Sequence, residues 1–419
     1  MDTFDRSSVL ASRNEVDEAP KDALLKARPL QVHRKTDYPP MNSQLATIYS
    51  ELVQLREENE KQIRKADRVK KHLDVVILDL WVAATYYESP WRFISLNRND
   101  YTKGTRYRKI YLKYDLFKGV LDNLVSLEYV DLIPGFYDRS NKKGYQTRIK
   151  ASDKLLKFLA FDIKKIERDS EVPEEEVIIK RDENKNNVDY EDDKIINQMR
   201  ESLQKYNDLL RQTDINTDAI DLRYHKCDPT SITVKRIFDK DDNGGRFYNG
   251  FWENMPETER SKLKINNEEV CELDYSSFHP TIAYALKGIQ PEDEPYAIDG
   301  CDRNEVKKAL LLLFNCKSRE HAINTVRSEG IKNAESLVHK IEEKHKAISD
   351  NFYDPWFGMH LQSNDSLIAG FIINKLTERG ITCLPIHDSF IVAKKYEKEL
   401  QDLMENYFYM IFEVKPKIK

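Results

Sequence analysis

The sequence predicts an α+β protein in two parts, with a helix-rich N-terminal part and a C-terminal part of strands and helices. Two observations lead to this fold class. A helix, a strand, a basic turn and a second strand follow one another between Asp115 and Ile149. Farther along, two short apolar runs each carry an Asp at their edge, Asp274 in the first and Asp388 in the second.

Composition excludes several classes of protein. The chain has 419 residues, 40 % of them hydrophobic, which suffices for two or three domains with real cores. A net charge of −5 excludes a uniformly basic nucleic-acid coat, although basic residues outnumber acidic ones about two to one between Arg98 and Lys157. The five cysteines form no paired spacing, and no apolar run approaches the roughly 18 residues of a membrane span. We therefore expect a cytoplasmic protein with no membrane partner.

The N-terminal region divides into a tail and a long helix. Residues 1–40 are polar and lack periodicity, so they are predicted to be a disordered tail. From Met41 to Val76, apolar residues recur at helical spacing, with a polar gap at Asn59 and Gln62. This pattern fits either a coiled coil or a helix that packs on its own domain, and the oligomeric state stays open.

The region after this helix has the element order of a winged helix. Asp115 is predicted to cap a helix whose polar face carries Lys118, and a hairpin with a basic turn follows it. The helix would enter a major groove, while Lys142, Lys143 and Arg148 on the wing would neutralise phosphates. The alternative is a small helical domain with a solvated basic hairpin. In either case residues 41–165 form the N-terminal domain.

A charged linker is predicted next. Residues 166–192 are rich in Asp and Glu, and they separate the N-terminal domain from residues 193–419. A helix from Asp193 to Leu210 opens this second domain. The linker is too short to hold a proofreading exonuclease.

The two Asp-bearing runs carry the first functional hypothesis. Carboxylates brought together in a fold repel each other unless divalent cations lie between them. That arrangement is the centre of metal-assisted phosphoryl transfer. Asp274 and Asp388 are therefore predicted to be metal ligands for Mg²⁺, for which Mn²⁺ can substitute.

Three further segments could contact a nucleotide or nucleic acid. Paired glycines before Arg246 allow close backbone approach, and the Arg can grip a phosphate or a base edge, although Gly-Gly-Arg is also an ordinary hairpin turn. On a helix, Arg303, Lys307 and Phe314 would share one face and could hold a triphosphate and stack on a base. A solvated surface helix is the alternative. The third segment, at Gln362, leads a helix that is predicted to stop at Gly380.

Taken in order, these segments resemble the palm and fingers of the family A polymerase superfamily. That superfamily includes bacterial repair DNA polymerases and the single-subunit phage and mitochondrial RNA polymerases. The resemblance rests on Gly-Arg-Phe, Asn-x-Pro, Asp-Tyr-Ser, Arg-x-x-x-Lys, a Gln on a helix, and Ile-His-Asp-Ser-Phe, and it spans Gly244 to the end of the sequence. Asp-Tyr-Ser is similar to the DNA-polymerase form of the first metal motif, and Ile-His-Asp-Ser-Phe to the RNA-polymerase form of the second.

The resemblance implies a palm with an antiparallel sheet, reduced fingers and a role for each matched residue. Asp274 and Asp388 would hold two Mg²⁺ ions, with the backbone carbonyl of Tyr275 completing a metal shell. The other roles are nucleotide binding and catalysis by Arg303 and Lys307, nucleotide binding by Phe314 and His279, and primer-template binding by Arg246, Gln362 and His387. For His387, a histidine satisfied within the strand is an equal alternative.

The sequence departs from the family pattern in three places. The interval between the two aspartates is shorter than in a typical member, so the fingers should be trimmed. His279 stands at the position of the family's sugar gate, where it is neither the acidic residue of the DNA enzymes nor the small one of the RNA enzymes. The family's aromatic residue aligns with Phe314 or, by a shift of one residue, with Asn315, and Phe314 is preferred on chemical grounds.

The predicted function is template-directed nucleotidyl transfer by a small DNA polymerase without proofreading. Its partners would be primer-template DNA, a duplex site recognised by the N-terminal domain, and nucleoside triphosphates, as in the replication of a mobile element. One alternative is an RNA polymerase or primase of the same superfamily. Another is a DNA-binding replication initiator or regulator with a catalytically silent palm.

Overall fold

The fold is taken from a computed structural model of the chain. It describes residues 21–60, 65–107, 111–139, 143–159, 166–169, 174–291 and 294–419. The chain divides into two compact units. One comprises Met1–Glu176 with Asp221–Ser231, and the other comprises Val177–Ile220 with Ile232–Lys419.

The first unit contains helices and a small sheet. Its elements are α1 (Lys21–Leu25), β1 (Arg28–Pro29), β2 (Arg34–Lys35), α2 (Pro39–Glu58), α3 (Ala66–Tyr86), β3 (Arg92–Ile94), α4 (Tyr114–Ser126), β4 (Val130–Ile133), β5 (Phe136–Asp138), β6 (Lys143–Tyr145), β7 (Thr147–Ala151), α5 (Asp153–Phe158) and β8 (Glu167–Arg168). The main sheet has the order β1-β3-β7-β4, with β5 and β6 as a separate hairpin. Helices α2, α3 and α4 pack on one another.

Two sequence predictions for this unit are wrong. Of the predicted tail over 1–40, residues 21–40 are structured, and Arg34 on β2 is only 4 % exposed, while residues 1–20 lie outside the described residues. The predicted long helix is two helices, since α2 ends at Glu58, directly before Asn59 of the polar gap, and α3 begins at Ala66. Gln62, the other residue of the gap, lies outside the described residues. The apolar faces of α2 and α3 are buried within the unit, which agrees with the alternative of a helix that packs on its own domain.

The second unit is built on a five-stranded and a three-stranded sheet. Its elements are β9 (Ile178–Arg181), α6 (Lys194–Gln212), β10 (Ile215–Asn216), β11 (Lys235–Asp239), β12 (Gly244–Tyr248), α7 (Glu257–Arg260), β13 (Lys264–Ile265), β14 (Glu268–Asp274), α8 (Phe278–Ala285), α9 (Arg303–Leu313), α10 (Arg319–Ser328), α11 (Ala334–Lys344), α12 (Pro355–Glu378), β15 (Cys383–Ile386), β16 (Ser389–Ala393) and α13 (Glu397–Phe412). The protein as described is thus α+β, as predicted.

The five-stranded sheet positions the two Asp-bearing runs. Its order is β10-β13-β14-β16-β15, and all neighbouring strands in it are antiparallel. The smaller sheet has the order β12-β11-β9. The predicted linker over 166–192 therefore needs correction, because β9 lies within that range and pairs with β11, and Ile178 is fully buried.

Helix α12 packs against β12, α6 and α13, and so lies across the core of this unit. It begins at Pro355, earlier than the sequence prediction at Gln362, because Asp354 caps it by accepting a hydrogen bond from the Trp356 amide at 3.0 Å. The helix ends as predicted, with Gly380 at φ 69° just beyond its C-terminus.

Candidate functional site

The register of β14 and β16 brings the two aspartates to one end of the sheet. Asp274, the last residue of β14, pairs with Ser389, the first residue of β16. The Tyr275 amide donates to the Asp388 carbonyl at 3.3 Å. Asp388 and His387 form the two-residue turn between β15 and β16. Two residues far apart in the chain are thus adjacent, as the sequence hypothesis requires.

The electrostatics of the two carboxyl groups show that they interact. Burial and the negative charge of Asp388 raise the pKa of Asp274. Burial also raises the pKa of Asp388. The positive charges of Lys307 and Lys419 act on both carboxyl groups and oppose these shifts. The site is therefore a pair of partly desolvated carboxyl groups that face more than one cation.

Two residues within three positions of the aspartates have a left-handed backbone. Ser277 has φ 57° and ψ 40° at the N-terminus of α8, and His387 has φ 56° in the hairpin turn. A non-glycine residue at positive φ costs free energy and persists where the surrounding structure holds it. These two conformations set the chain direction three residues after Asp274 and directly before Asp388.

Arg246 lies beside this pair and is held by a buried carboxylate. Its Nε lies 2.5 Å from Oδ2 of Asp365, which is 2 % exposed on α12. Its Nη2 lies 3.3 Å from Nε2 of His279. Since a guanidinium group has no acceptor, Nε2 of His279 accepts this hydrogen bond and the imidazole is neutral. Burial and the charge of Arg246 accordingly lower the pKa of His279 to about 4.

His387 and Gln362, the other two residues predicted to bind the primer-template, lie on neighbouring elements. The His387 ring meets the ring of Tyr248 edge-on at 5.7 Å, and its buried Nδ1 has no hydrogen-bond partner among the described residues. The alternative of a histidine fully satisfied within the strand is therefore not what the structure shows. Gln362 is half-buried on α12, three residues before Asp365.

The two cations predicted on the fingers helix, Lys307 and Arg303, relate to the aspartate pair in different ways. Lys307 on α9 acts on both carboxyl groups. Arg303, one turn earlier, pairs with Glu294 at 3.1 Å and lies over the ring of Tyr296. Tyr296 in turn forms a hydrogen bond with Ser277, and burial raises its pKa to about 12. Arg303 is therefore linked to the site through Tyr296.

The structure does not present Phe314 to a nucleotide. Its side chain is 1 % exposed and packs between Phe352 and Phe357. A Cβ atom on Gly358 of α12 would come within 2.7 Å of the Phe314 carbonyl oxygen, so the helix fits tightly there. The preference for Phe314 as a stacking residue is corrected, and the alternative register places the exposed Asn315 at that position.

Three residues at this site were not identified from the sequence. Asp365 and Tyr296 are buried, and Lys419 lies on the segment that pairs with the end of β14. The Lys419 ammonium group is 3.1 Å from Oδ2 of Asp274. These residues reach the site through contacts between distant parts of the chain, which leave no local pattern in the sequence. Only Asp365 could have been found, because an acidic residue within an otherwise apolar helix face requires a partner.

The donor set fits a hard divalent cation. The site offers two carboxylates, and oxygen ligands of this type suit Mg²⁺, which is commonly bound through one or two carboxylates together with substrate phosphates. The Tyr275 carbonyl as a further ligand stays a prediction. Within the described ranges, no group of three or more His, Cys, Asp or Glu side chains could hold a metal ion by itself. A site of this composition would be completed by its substrate.

The residues predicted to bind DNA in the first unit are placed differently from expectation. Lys118 pairs with Asp122 at 2.5 Å on the same face of α4, and Asp115 lies in the first turn of the helix rather than at its cap. Arg148 is 9 % exposed, and its Nε donates to the Leu24 carbonyl at 3.3 Å. Arg148 is therefore corrected as a phosphate ligand. Lys118 has an exposed side chain and stays a prediction, with its charge offset by Asp122.

The remaining two wing residues stay predictions. Lys142 lies outside the described residues, and Lys143 begins β6 with a side chain outside the described part.

Comparisons with known proteins do not assign the chain to a family. No protein-family model matches the sequence, and no curated protein is significantly similar to it. Among the helices that the structure describes, none combines the length and apolar character needed to cross a membrane.

Proposed function

We propose that the second unit catalyses template-directed nucleotidyl transfer, as a small DNA polymerase without a proofreading domain. The observation that carries this proposal is the placement of Asp274 and Asp388 at the paired ends of β14 and β16, with Lys307 acting on both. Paired carboxylates that hold divalent ions, with a nearby cation for phosphate charge, are what in-line phosphoryl transfer requires.

In this proposal the residues of the site have different roles in metal, nucleotide and primer-template binding. Asp274, Asp388 and the Tyr275 carbonyl would hold Mg²⁺, which when bound activates a primer hydroxyl and neutralises phosphate charge. Lys307 stabilises the negative charge of the triphosphate as a point charge. Arg246, fixed by Asp365, contacts the primer-template end with its remaining N–H donors, and burial, together with the charge of the nearby Arg246, lowers the pKa of His387. Gln362, three residues before Asp365 on α12, is assigned to the same role.

The first unit would bring the enzyme to duplex DNA. Helix α4 is followed by the antiparallel strands β4 and β7, with the β5–β6 hairpin between them. This order supports a winged-helix-like module. On the polar face of α4, the exposed Asp115 and Asp122 are paired with Arg98 and Lys118, so these groups together offer no net positive charge to phosphates. The contact with DNA is therefore assigned to the wing at Lys142 and Lys143 rather than to α4.

A ribonucleotide polymerase is the second candidate, favoured by one observation. Nε2 of His279 is occupied by Arg246, so the residue at the resemblance's sugar-gate position is a neutral imidazole. A neutral imidazole lacks the carboxylate with which the DNA enzymes of the family exclude ribose. Extension assays should therefore compare deoxynucleotides with ribonucleotides.

Primer extension with all eight nucleotides, with and without template, tests the proposal. We expect Mg²⁺-dependent and template-dependent extension that Asp388→Asn abolishes while the circular dichroism spectrum is unchanged. Glu269→Gln is the matched control, because Glu269 is an exposed carboxylate on the same strand β14. Salt-dependent DNA binding without any extension would overturn the proposal and favour a non-catalytic initiator.

A further inference from the structure

Lys419 is fixed beside Asp274 by the backbone. The Asp274 amide donates to the Lys419 carbonyl at 3.0 Å, and the Lys419 amide donates to the Asp274 carbonyl at 3.1 Å. Tyr275 and Ile418 form the next antiparallel bridge. Residues that exchange both backbone hydrogen bonds have side chains on the same face of the sheet. The ion pair between Lys419 and Asp274 is therefore imposed by strand register.

The ammonium group is well placed to compete with a metal ion. Its Nζ lies 3.1 Å from Oδ2 of Asp274, and its charge also acts on Asp388. The Lys419 side chain is 69 % exposed, against 30 % for Asp274. An exposed ion pair of this kind contributes little to stability, so the ammonium can leave the carboxylate at small cost.

We propose that Lys419 is a resident counter-cation that competes with a divalent metal ion for the Asp274 carboxylate and so sets the metal affinity of the free enzyme. This inference rests on the metal site of the proposed function. Without metal, Lys419 offsets the repulsion between the two aspartates. When a divalent ion binds, the ammonium group is displaced from Oδ2 but stays tethered nearby, because its backbone remains paired with Asp274.

Mn²⁺ binding to the full chain without nucleotide tests this role, by calorimetry or by electron paramagnetic resonance. Removing one positive charge a few ångströms from a doubly charged ion is expected to tighten Mn²⁺ binding about tenfold in Lys419→Met, less at high salt. Lys419→Arg keeps the charge and should retain the wild-type affinity. Lys417→Met is the matched control, because Lys417 is exposed on the same segment and makes no ion pair with either aspartate in the described structure.

The outcomes separate this inference from the proposed function. Equal Mn²⁺ affinity in wild type and Lys419→Met, or tighter binding in Lys419→Arg as well, would overturn the role of Lys419 even if primer extension succeeds. Tighter binding in Lys419→Met alone, removed by Asp388→Asn, would support it even if no extension is found. Absence of Mn²⁺ binding in every variant without nucleotide would overturn the role of Lys419, while primer extension alone would decide the proposed function.

Discussion

One buried carboxyl group, that of Asp365, decides where Arg246 can lie. Asp365 is 2 % exposed, and its oxygen is within 2.5 Å of Arg246 Nε. Burial raises the pKa of Asp365 to about 7 and outweighs the opposing effect of Arg246. Burying this carboxyl group costs free energy, and its contact with Arg246 holds the guanidinium group beside the aspartate pair. Such a perturbed buried group is typical of residues that position a functional group.

This raised pKa predicts a pH dependence of stability. The folded state binds a proton more tightly than the unfolded state, whose Asp has a pKa near 3.9. The contribution of Asp365 to the unfolding free energy is therefore largest at low pH and falls as the pH rises through about 7. Urea unfolding between pH 5 and pH 8 should show wild type losing stability relative to Asp365→Asn. A stability difference between the two proteins that stays constant from pH 5 to pH 8 would show instead that Asp365 is ionised throughout this range.

At the scale of elements, the first unit is held together by a buried ion cluster. Asp79 on α3 is fully buried and accepts hydrogen bonds from Arg34 Nε at 2.9 Å and Arg92 Nε at 2.8 Å. Arg34 Nη2 also pairs with Asp228 at 2.7 Å. Burial raises the pKa of Asp79, but the two arginines outweigh it and lower the pKa overall. The cluster joins β2, α3, β3 and the segment Asp221–Ser231.

Removing the central acid should destabilise this unit selectively. Asp79→Ala leaves two buried guanidinium groups without their shared partner, and we expect a loss of about 3–5 kcal/mol. Hydrogen exchange with mass spectrometry should show faster exchange in α3, β3 and residues 221–231. Asp115→Ala is the control, because its ion pair with Arg98 is exposed and should be worth about 1 kcal/mol or less. Equal effects of the two substitutions would contradict this account of the cluster.

Local signals account for the elements that the sequence predicted. The helix start at Asp193 and the helix stop at Gly380 depend on neighbouring residues alone. The start of α12 was missed although Asp354-Pro355 is a recognisable helix start. The region from Lys21 to Pro40 was missed because its order depends on distant partners, as in the contact between Arg34 and Asp79.

At the scale of the whole molecule, the two units carry separate predicted roles, DNA binding in the first and nucleotidyl transfer in the second. The double substitution Lys142→Ala with Lys143→Ala should weaken duplex binding and reduce the salt slope of the affinity by about 2, because each lysine displaces roughly one counterion. Fluorescence anisotropy over a salt series measures this. Lys118→Ala is the control, since Lys118 is already paired with Asp122. An unchanged slope in the double variant would exclude the wing as the DNA contact.

The residues of the candidate site could be predicted only in part, because the sequence does not reveal which distant segments of the chain come together. Asp274 and Asp388 were found because each edges an apolar run and matches a motif. Their proximity, and the arrival of Lys419 and Tyr296, depend on strand register and on packing across more than a hundred residues. The prediction that Phe314 stacks on a nucleotide was wrong because helical periodicity identifies which residues share a face of a helix. It does not tell whether other residues cover that face.

Metal-directed cleavage of the protein backbone tests the central claim most directly. Fe²⁺ substituted for Mg²⁺, with ascorbate and peroxide, generates hydroxyl radicals that cut the chain beside the bound ion. We expect cuts next to Asp274 and next to Asp388 in the wild-type protein, which Mg²⁺ suppresses by competition and which are lost in the double variant Asp274→Asn with Asp388→Asn. Cuts elsewhere only, or cuts at both positions that persist in the double variant, would contradict a metal site shared by these two aspartates.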